Sequence, residues 1–276
     1  MYANQVFKLH GTKAMAYRGL GQAALLLPFM FWFEPIHNWQ FYALCLFQGG
    51  LIGFDDNRLF RSAKAFGAEV TSAVQPLSLG LIFILWLVLN PGQFGELLSE
   101  PAKFILSVLC LAGVTFSILG LLQAKASRRA LRYLLPVLFA MSLNDVINKE
   151  CMSLGAERLS SAVYYYILIT SAVYGAANLF AYLKRYDFSE LLNISHMKKG
   201  AVIIILTTVV MILKNLAMSL TPNPAYASAI IFLYPLWIIL GNNLYYRLKA
   251  CKTYPRINFK VIAVLLTSVI GLILLH

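Results

Sequence analysis

From Ala14 to its end the chain alternates runs of about twenty apolar residues with short basic turns. Roughly 20 consecutive apolar residues span the hydrocarbon of a bilayer, and a soluble domain of this length could not hide so many such runs. The spans expected from hydropathy are 14–33, 39–54, 65–89, 104–122, 131–148, 160–183, 200–220, 225–246 and 259–275. In lipid only helices and closed barrels satisfy every backbone N–H and C=O. These runs are too long and too uniformly apolar for barrel strands. The expected fold is therefore an all-α integral membrane protein with nine spanning helices. The second span is short unless it continues past Asp55 and Asp56.

Charge orients the spans. Lys8, Lys13 and Arg18 precede or open the first; Arg58, Arg61 and Lys64 follow the second; Lys125, Arg128, Arg129 and Arg132 follow the fourth. Lys184, Arg185, Lys198 and Lys199 follow the sixth, and Arg247, Lys249, Lys252, Arg256 and Lys260 follow the eighth. Only Lys103, Lys149 and Arg158 fall in the opposite loops, and Lys214 lies within a span. Cytosolic loops carry the excess of Lys and Arg, so the N-terminus is expected in the cytosol and the C-terminus outside. Trp32, Trp39 and Trp86 lie near span ends on the other face, as an interfacial belt requires. The same rule accounts for the net charge of +12, which in a soluble protein would suggest nucleic acid. Nucleic-acid binding is not expected here.

Several familiar chemistries lack their residues. The four cysteines form no CxxC and no zinc spacing: Cys45 and Cys110 sit in apolar runs, Cys151 and Cys251 in loops on opposite sides. The first apolar run ends without a cleavage-like motif and reads as a retained helix. There is no GxSxG, HExxH or glycine-rich phosphate loop, and His10, His37, His196 and His276 do not cluster. No enzyme, metal or cofactor is expected, and no nucleotide motif supports an ATP-driven cycle.

The chain also repeats itself. Asn4–Lys8 (NQVFK) resembles Asp145–Lys149 (DVINK), Ala16-Tyr17-Arg18 resembles Ala156-Glu157-Arg158, the helix around Pro76-Leu77 matches that around Pro235-Leu236, and ILSVLCLAGV from Ile105 resembles VIAVLLTSVI from Val261. The matches keep one order and similar offsets. They pair each span of residues 1–122 with the fifth span after it, within residues 123–276. An odd step reverses direction across the membrane, so the halves are expected to form an inverted repeat, the plan of many secondary transporters. The competing reading is that hydropathy alone makes transmembrane helices look alike. The first half shows four spans against five in the second, and the N-terminal NQVFKLHG reads as the tail of a missing helix.

A helix opening with Arg (AYRGLGQAALLLPF), a short loop and a helix of the form AxxxSAVxPLxxGLIxxL, echoed by NDVINK and NPAYASAIIFLYPLWIIL, resembles the drug/metabolite transporter superfamily, specifically its EamA-like members. The resemblance covers nearly the whole chain. It implies two inverted five-helix repeats, a central cavity lined by inner helices, and alternating access for a small metabolite. The chain departs from that pattern in showing nine spans and in placing its C-terminus outside, where many members have both termini in the cytosol.

Ionisable groups inside a membrane are expensive and usually functional or paired. Glu69 shares a face with Ser72 and Pro76. Asp145 has Lys149 at i+4, with Asn144 and Asn148 beside them. Lys214 is followed by Asn215 and Ser219. Arg18 opens the first span with Gln22 one turn on. Each has a plainer reading: Asp145 and Lys149 neutralising each other, Lys149 or Lys214 snorkelling to the interface, Arg18 anchoring the cytosolic end, Glu69 meeting water near the surface. In the sixth span Tyr166, Thr170, Tyr174, Asn178 and Tyr182 recur at i+4. The stripe either lines a substrate cavity, for which Tyr166, Thr170 and Tyr174 are favoured, or glues helices together beside Ser171 and Gly175. Pro76 and Pro235 occupy equivalent positions and are candidate hinges, with Gln75 and Tyr234 aimed by the kinks. The expected activity is secondary transport of a small polar or zwitterionic metabolite, with a coupling proton or cation, by a monomer or homodimer in a bacterial inner membrane. Substrate contacts would come from Glu69, Gln75, Asn144, Asp145, Tyr166, Thr170, Tyr174, Lys214, Asn215 and Tyr234. The rivals are a lipid or lipid-linked-sugar translocator of the same fold, an intramembrane enzyme, and a membrane partner that transports nothing.

Overall fold

A computed structural model describes residues 11–66, 71, 74–122, 128–191, 193–233, 236–237 and 259–275. The described residues are helical, with no strand among them. In chain order the helices are α1 (Gly11–Leu26), α2 (Trp39–Phe66), α3 (Ser78–Leu89), α4 (Pro91–Ser99), α5 (Pro101–Leu122), α6 (Arg128–Leu154), α7 (Leu159–Leu183), α8 (Phe188–Leu191), α9 (Ile194–Leu220), α10 (Pro224–Ile231) and α11 (Phe259–Leu274). Among the described residues four stretches are long and apolar enough to cross a membrane: Pro101–Gly120, Arg129–Leu154, Ala156–Leu183 and His196–Leu220. A fifth joins them if Gln75–Leu89 and Pro91–Ser99, bent by 105°, count as one span. Pro91 makes that bend, because it cannot donate to the preceding turn, and it opens α4 at the first helical positions. The protein is thus a helical membrane protein.

Two helices run on past polar residues at which hydropathy suggests an end. α2 continues through Asp55 and Asp56 to Phe66. α6 continues past Asn148 to Leu154, so Cys151 lies buried in a helix and not in a loop. Polar residues suggest an end at both places, yet each finds a partner that lets the helix go on. Arg18 pairs with Asp56, and Lys149 donates to the Ser219 carbonyl at 3.4 Å.

The chain forms two compact units, each assembled from two separate stretches. The first comprises the described parts of Met1–Arg61 and Val146–Pro222, the second those of Ser62–Asp145 and Asn223–His276. In the first unit glycines set the spacing. A Cβ on Gly19 of α1 would fall 2.6 Å from the backbone N of Gly175 and 2.7 Å from the carbonyl of Ser171 on α7. Gly49 of α2 lies as close to α7, where a Cβ would meet Val173 at 2.6 Å and the Thr170 carbonyl at 3.0 Å. Gly200 of α9 faces the Tyr17 ring. Small residues let helix backbones approach where lipid offers no hydrophobic drive between helices. α7 is thereby held between α1 and α2. In the second unit Gly113 of α5 makes room for Ser268 of α11, and Gly271 of α11 for Cys110.

Candidate functional site

Close glycine packing in the first unit brings a line of polar groups together where α1 and α2 meet α7. Arg18 of α1 donates through Nη1 to Asp56 Oδ2 of α2 at 3.1 Å. Its guanidinium lies 5.1 Å from the centre of the Tyr174 ring of α7, within the range of a cation–π contact. One turn along α1, Gln22 is fully buried. Its Oε1 accepts from the Tyr174 hydroxyl and, at 3.2 Å, from Ser171 Oγ. Below Tyr174 on α7, Asn178 Nδ2 donates to the Tyr174 carbonyl at 2.9 Å, while its Oδ1 accepts from Asn57 of α2 at 2.9 Å. Asn57 also donates to the Gly53 carbonyl at 2.7 Å. Asp55, beside Asp56, is buried and acts electrostatically on Arg18. Three helices therefore share one connected network. Two donors at its centre, Arg18 Nε and Gln22 Nε2, have no hydrogen-bond partner.

At the start of α1 a second cluster holds α8 against α1 and α7. The buried Lys13 ammonium donates to the Glu190 carbonyl at 2.5 Å and lies 2.8 Å from His196 Nδ1. Tyr17 donates to the Leu191 carbonyl at 2.5 Å, and Tyr182 to Glu190 Oε2 at 2.8 Å. Lys13 precedes the first expected span. Burial lowers its pKa from the ordinary lysine value, and Glu190 opposes that shift.

The residues expected from sequence divide between the units. In the first, Tyr166, Thr170 and Tyr174 are buried along α7. Thr170 turns its hydroxyl back to the Tyr166 carbonyl at 2.7 Å, and Tyr174 is the member that joins the Arg18 network. Lys214 is half-buried on α9. Asn215 beside it is fully buried with both amide atoms unpaired, as is Asn148 on α6. In the second unit Asp145 Oδ2 accepts from Ser228 of α10 at 2.5 Å, and Asn144 is buried. Gln75 and Pro76 sit in a 3-10 turn, Gln75–Leu77, that leads into α3. There the Gln75 carbonyl accepts from Ser78 Oγ at 2.7 Å and the Pro76 carbonyl from Thr115 Oγ1 at 3.3 Å. Glu69, Tyr234 and Pro235 lie outside the described residues.

Asp55 and Asp56 are the participants that hydropathy passed over. Their signal was present: two acids follow a run of apolar residues, and only a helix continued to Phe66 carries them inside. Arg18 reads as an anchor until Asp56 is placed opposite it.

The second unit also contains an apolar cleft of about 680 Å³ between α3, α4 and α5. Phe83, Leu87, Phe94, Phe104, Val108 and Phe116 are among its walls, and Thr115 is the polar residue on its lining. Its rim is apolar as well: Val88 and Phe116 are each 71% exposed.

No protein-family model, no curated protein and no solved structure matches this chain. The functional reading therefore rests on its own residues.

Proposed function

We propose that the chain is a secondary transporter of the drug/metabolite type, moving a small polar metabolite across a membrane by alternating access. In this reading it has nine spans in two inverted halves, residues 1–122 and 123–276. The N-terminus is cytosolic, the C-terminus outside, and the membrane is a bacterial inner membrane. A proton or cation is coupled to the movement, and the working form is a monomer or homodimer.

The observation that carries the reading is the Arg18–Asp56 ion pair between α1 and α2, with Gln22 and Tyr174 around it, packed against the apolar helix α7. Charged groups in membrane helices are rare and mark substrate or ion paths, or pair with one another. Here the pair accompanies a further buried carboxylate, Asp55, and buried donors without partners. A purely structural pair would have no need of them. Discontinuous helices belong to the same plan, and the second unit contains two breaks, the 105° bend at Pro91 and the 3-10 turn at Pro76.

The test is counterflow in proteoliposomes loaded with amino acids, amines, sugars or nucleotides. Uptake of one labelled class by the wild type, abolished in Asp56→Asn and Arg18→Met, is the expected result. Lack of exchange for every class, from correctly folded protein, would remove the reading.

The apolar cleft favours one alternative, a lipid or lipid-linked-sugar translocator, because an acyl chain fits a lining of aromatic and aliphatic side chains. Scrambling of a fluorescent lipid in the same vesicles separates the two.

A further inference from the structure

We propose that the cleft between α3, α4 and α5 is a lipid site: it holds one acyl chain of a bilayer phospholipid, whose headgroup lies where α4 joins α5. This goes beyond the transport reading, because the lipid is a bound component of the protein and not its cargo.

The walls of the cleft are helix faces of uniform character. Phe104, Val108, Ala112 and Phe116 recur at i+4 along α5 and line one wall, a spacing that keeps side chains on one face. Gly80 and Ile84 of α3 belong to another. A Cβ at Gly80 would meet nothing within 4 Å. No neighbouring helix uses the room this glycine leaves, although glycine weakens a helix interior; the room is open to the cleft. Thr115, the polar residue on the lining, donates its hydroxyl to the Leu111 carbonyl at 2.9 Å. Its proton is thus already placed, and a polar metabolite entering here would lose its own hydrogen bonds.

The end of the cleft formed by α4 sets its depth in the membrane. α4 turns 105° from α3, and Trp86 Nε1 donates to Gln93 Oε1 at 2.7 Å across that turn. Phe94, Leu97 and Leu98 share one face of α4, and Gln93 and Glu96 another, the pattern of a helix lying in the interface. Glu100 links α4 to α5, and Lys103 stands in the first turn of α5. The two are ion-paired at 2.5 Å and about half exposed, so an ammonium for the phosphate and a carboxylate for an amine lie at this level. From Phe104 to Phe116 the stripe runs about 18 Å at about 1.5 Å per residue. The hydrocarbon of one leaflet is about 15 Å deep, half of the ~30 Å core. One chain of a lipid in that leaflet fits from its ester end to its methyl end. Apolar cavities stay dry, and an empty one forfeits dispersion contacts along its walls. The cleft's volume of about 680 Å³ lies within the range of small-molecule sites, and in a bilayer the apolar occupant at hand is an acyl chain.

The experiment is photolabelling of the full chain in vesicles of phosphatidylethanolamine and phosphatidylglycerol in equal parts. A trace of the phosphatidylethanolamine carries a diazirine at the end of one acyl chain, and labelled positions are read by peptide mass spectrometry. Label is expected to concentrate around Ala112 and Phe116 and to exceed that on Val209 and Leu213, exposed apolar residues of α9. Gly80→Leu and, separately, Ala112→Phe fill the cleft from its two walls. Each takes the room of at least two methylenes and should reduce the label at Phe116 roughly tenfold. Gly50→Leu, where a Cβ also meets nothing, should leave it unchanged. Gel filtration matching the wild type shows that each variant has folded. Equal label on the cleft and on α9, or undiminished label in either folded variant, overturns the inference and leaves only lipid that surrounds the protein without a site. Stronger labelling of the stripe by a diazirine palmitic acid than by the phospholipid would also overturn it. Lipid scrambling by the wild type that Gly80→Leu abolishes would make the chain in the cleft cargo and remove the bound-component claim.

Discussion

Replacing Gly19 by alanine should loosen the centre of the first unit. The new Cβ would lie 2.6 Å from the Gly175 N and 2.7 Å from the Ser171 carbonyl. Both are backbone atoms and cannot swing away as a side chain would. Non-bonded heavy atoms rest at about 3.5–4.0 Å, so α1 and α7 would have to part by roughly 1 Å. Forcing a methyl group into a packed interior loses about 2 kcal/mol. The same separation strains both hydrogen bonds to Gln22 Oε1, each worth about 1 kcal/mol. Alanine's better helix propensity returns up to about 1 kcal/mol. The balance is a destabilisation of about 3 kcal/mol. Reversible unfolding in mixed micelles measures it, with Gly50→Ala as the control, because nothing lies within 4 Å of a Cβ at Gly50. The control is expected to match the wild type or exceed it slightly. Equal stability of Gly19→Ala and Gly50→Ala would refute the claim that α1 and α7 meet backbone to backbone.

Two further outcomes follow from the Lys13 cluster and from the basic loops. Burial lowers the Lys13 pKa, so between its folded value and the ordinary one the unfolded chain holds more protons and stability rises with pH. Lys13→Met should flatten that alkaline slope in unfolding measured at several pH values, and an unchanged slope would show that Lys13 is not its source. For orientation, single cysteines at Lys103 and Lys198 in a cysteine-free background should react with a membrane-impermeant maleimide from opposite sides of sealed vesicles. Labelling of both from one side would contradict the charge-derived topology.

Helical character and the membrane were legible in the sequence because both follow from apolar run length, a local property. The extent of individual helices was less so. A window reads Asp55-Asp56 and Asn148-Lys149 as ends, since it sees a charge and not the group opposite. Arg18 lies 38 positions from Asp56, and Ser219 lies 70 from Lys149. The i+4 stripe on α7 marked Tyr174 and Asn178 as facing inward, and they do. It could not show that Gln22 and Asn57, on two other helices, complete their hydrogen bonds. Glycines were legible as a composition and not as contacts: Gly19 and Gly50 look alike in the chain, yet one touches a neighbouring backbone and the other touches nothing.

Whether Arg18 and Asp56 serve stability or function can be decided by removing them singly and together. Their side chains are 20% and 23% exposed, so the pair stands between a surface ion pair, worth about 0–1 kcal/mol, and a buried one, whose breaking leaves a charge that loses about 3–5 kcal/mol. A single Arg18→Met leaves Asp56 beside Asp55 without its guanidinium and should lose about 2–3 kcal/mol on that scale. Asp56→Leu should lose less, because Arg18 keeps the Tyr174 ring and the charge of Asp55. Removing both takes away the uncompensated charge together with the pair, and an apolar replacement for such a pair is often neutral or stabilising. The double variant should therefore be more stable than Arg18→Met while remaining inactive in counterflow. That combination would mean the pair is held in the helices for what it binds. A double variant less stable than either single, with exchange intact, would make it structural glue and withdraw the functional reading of the site.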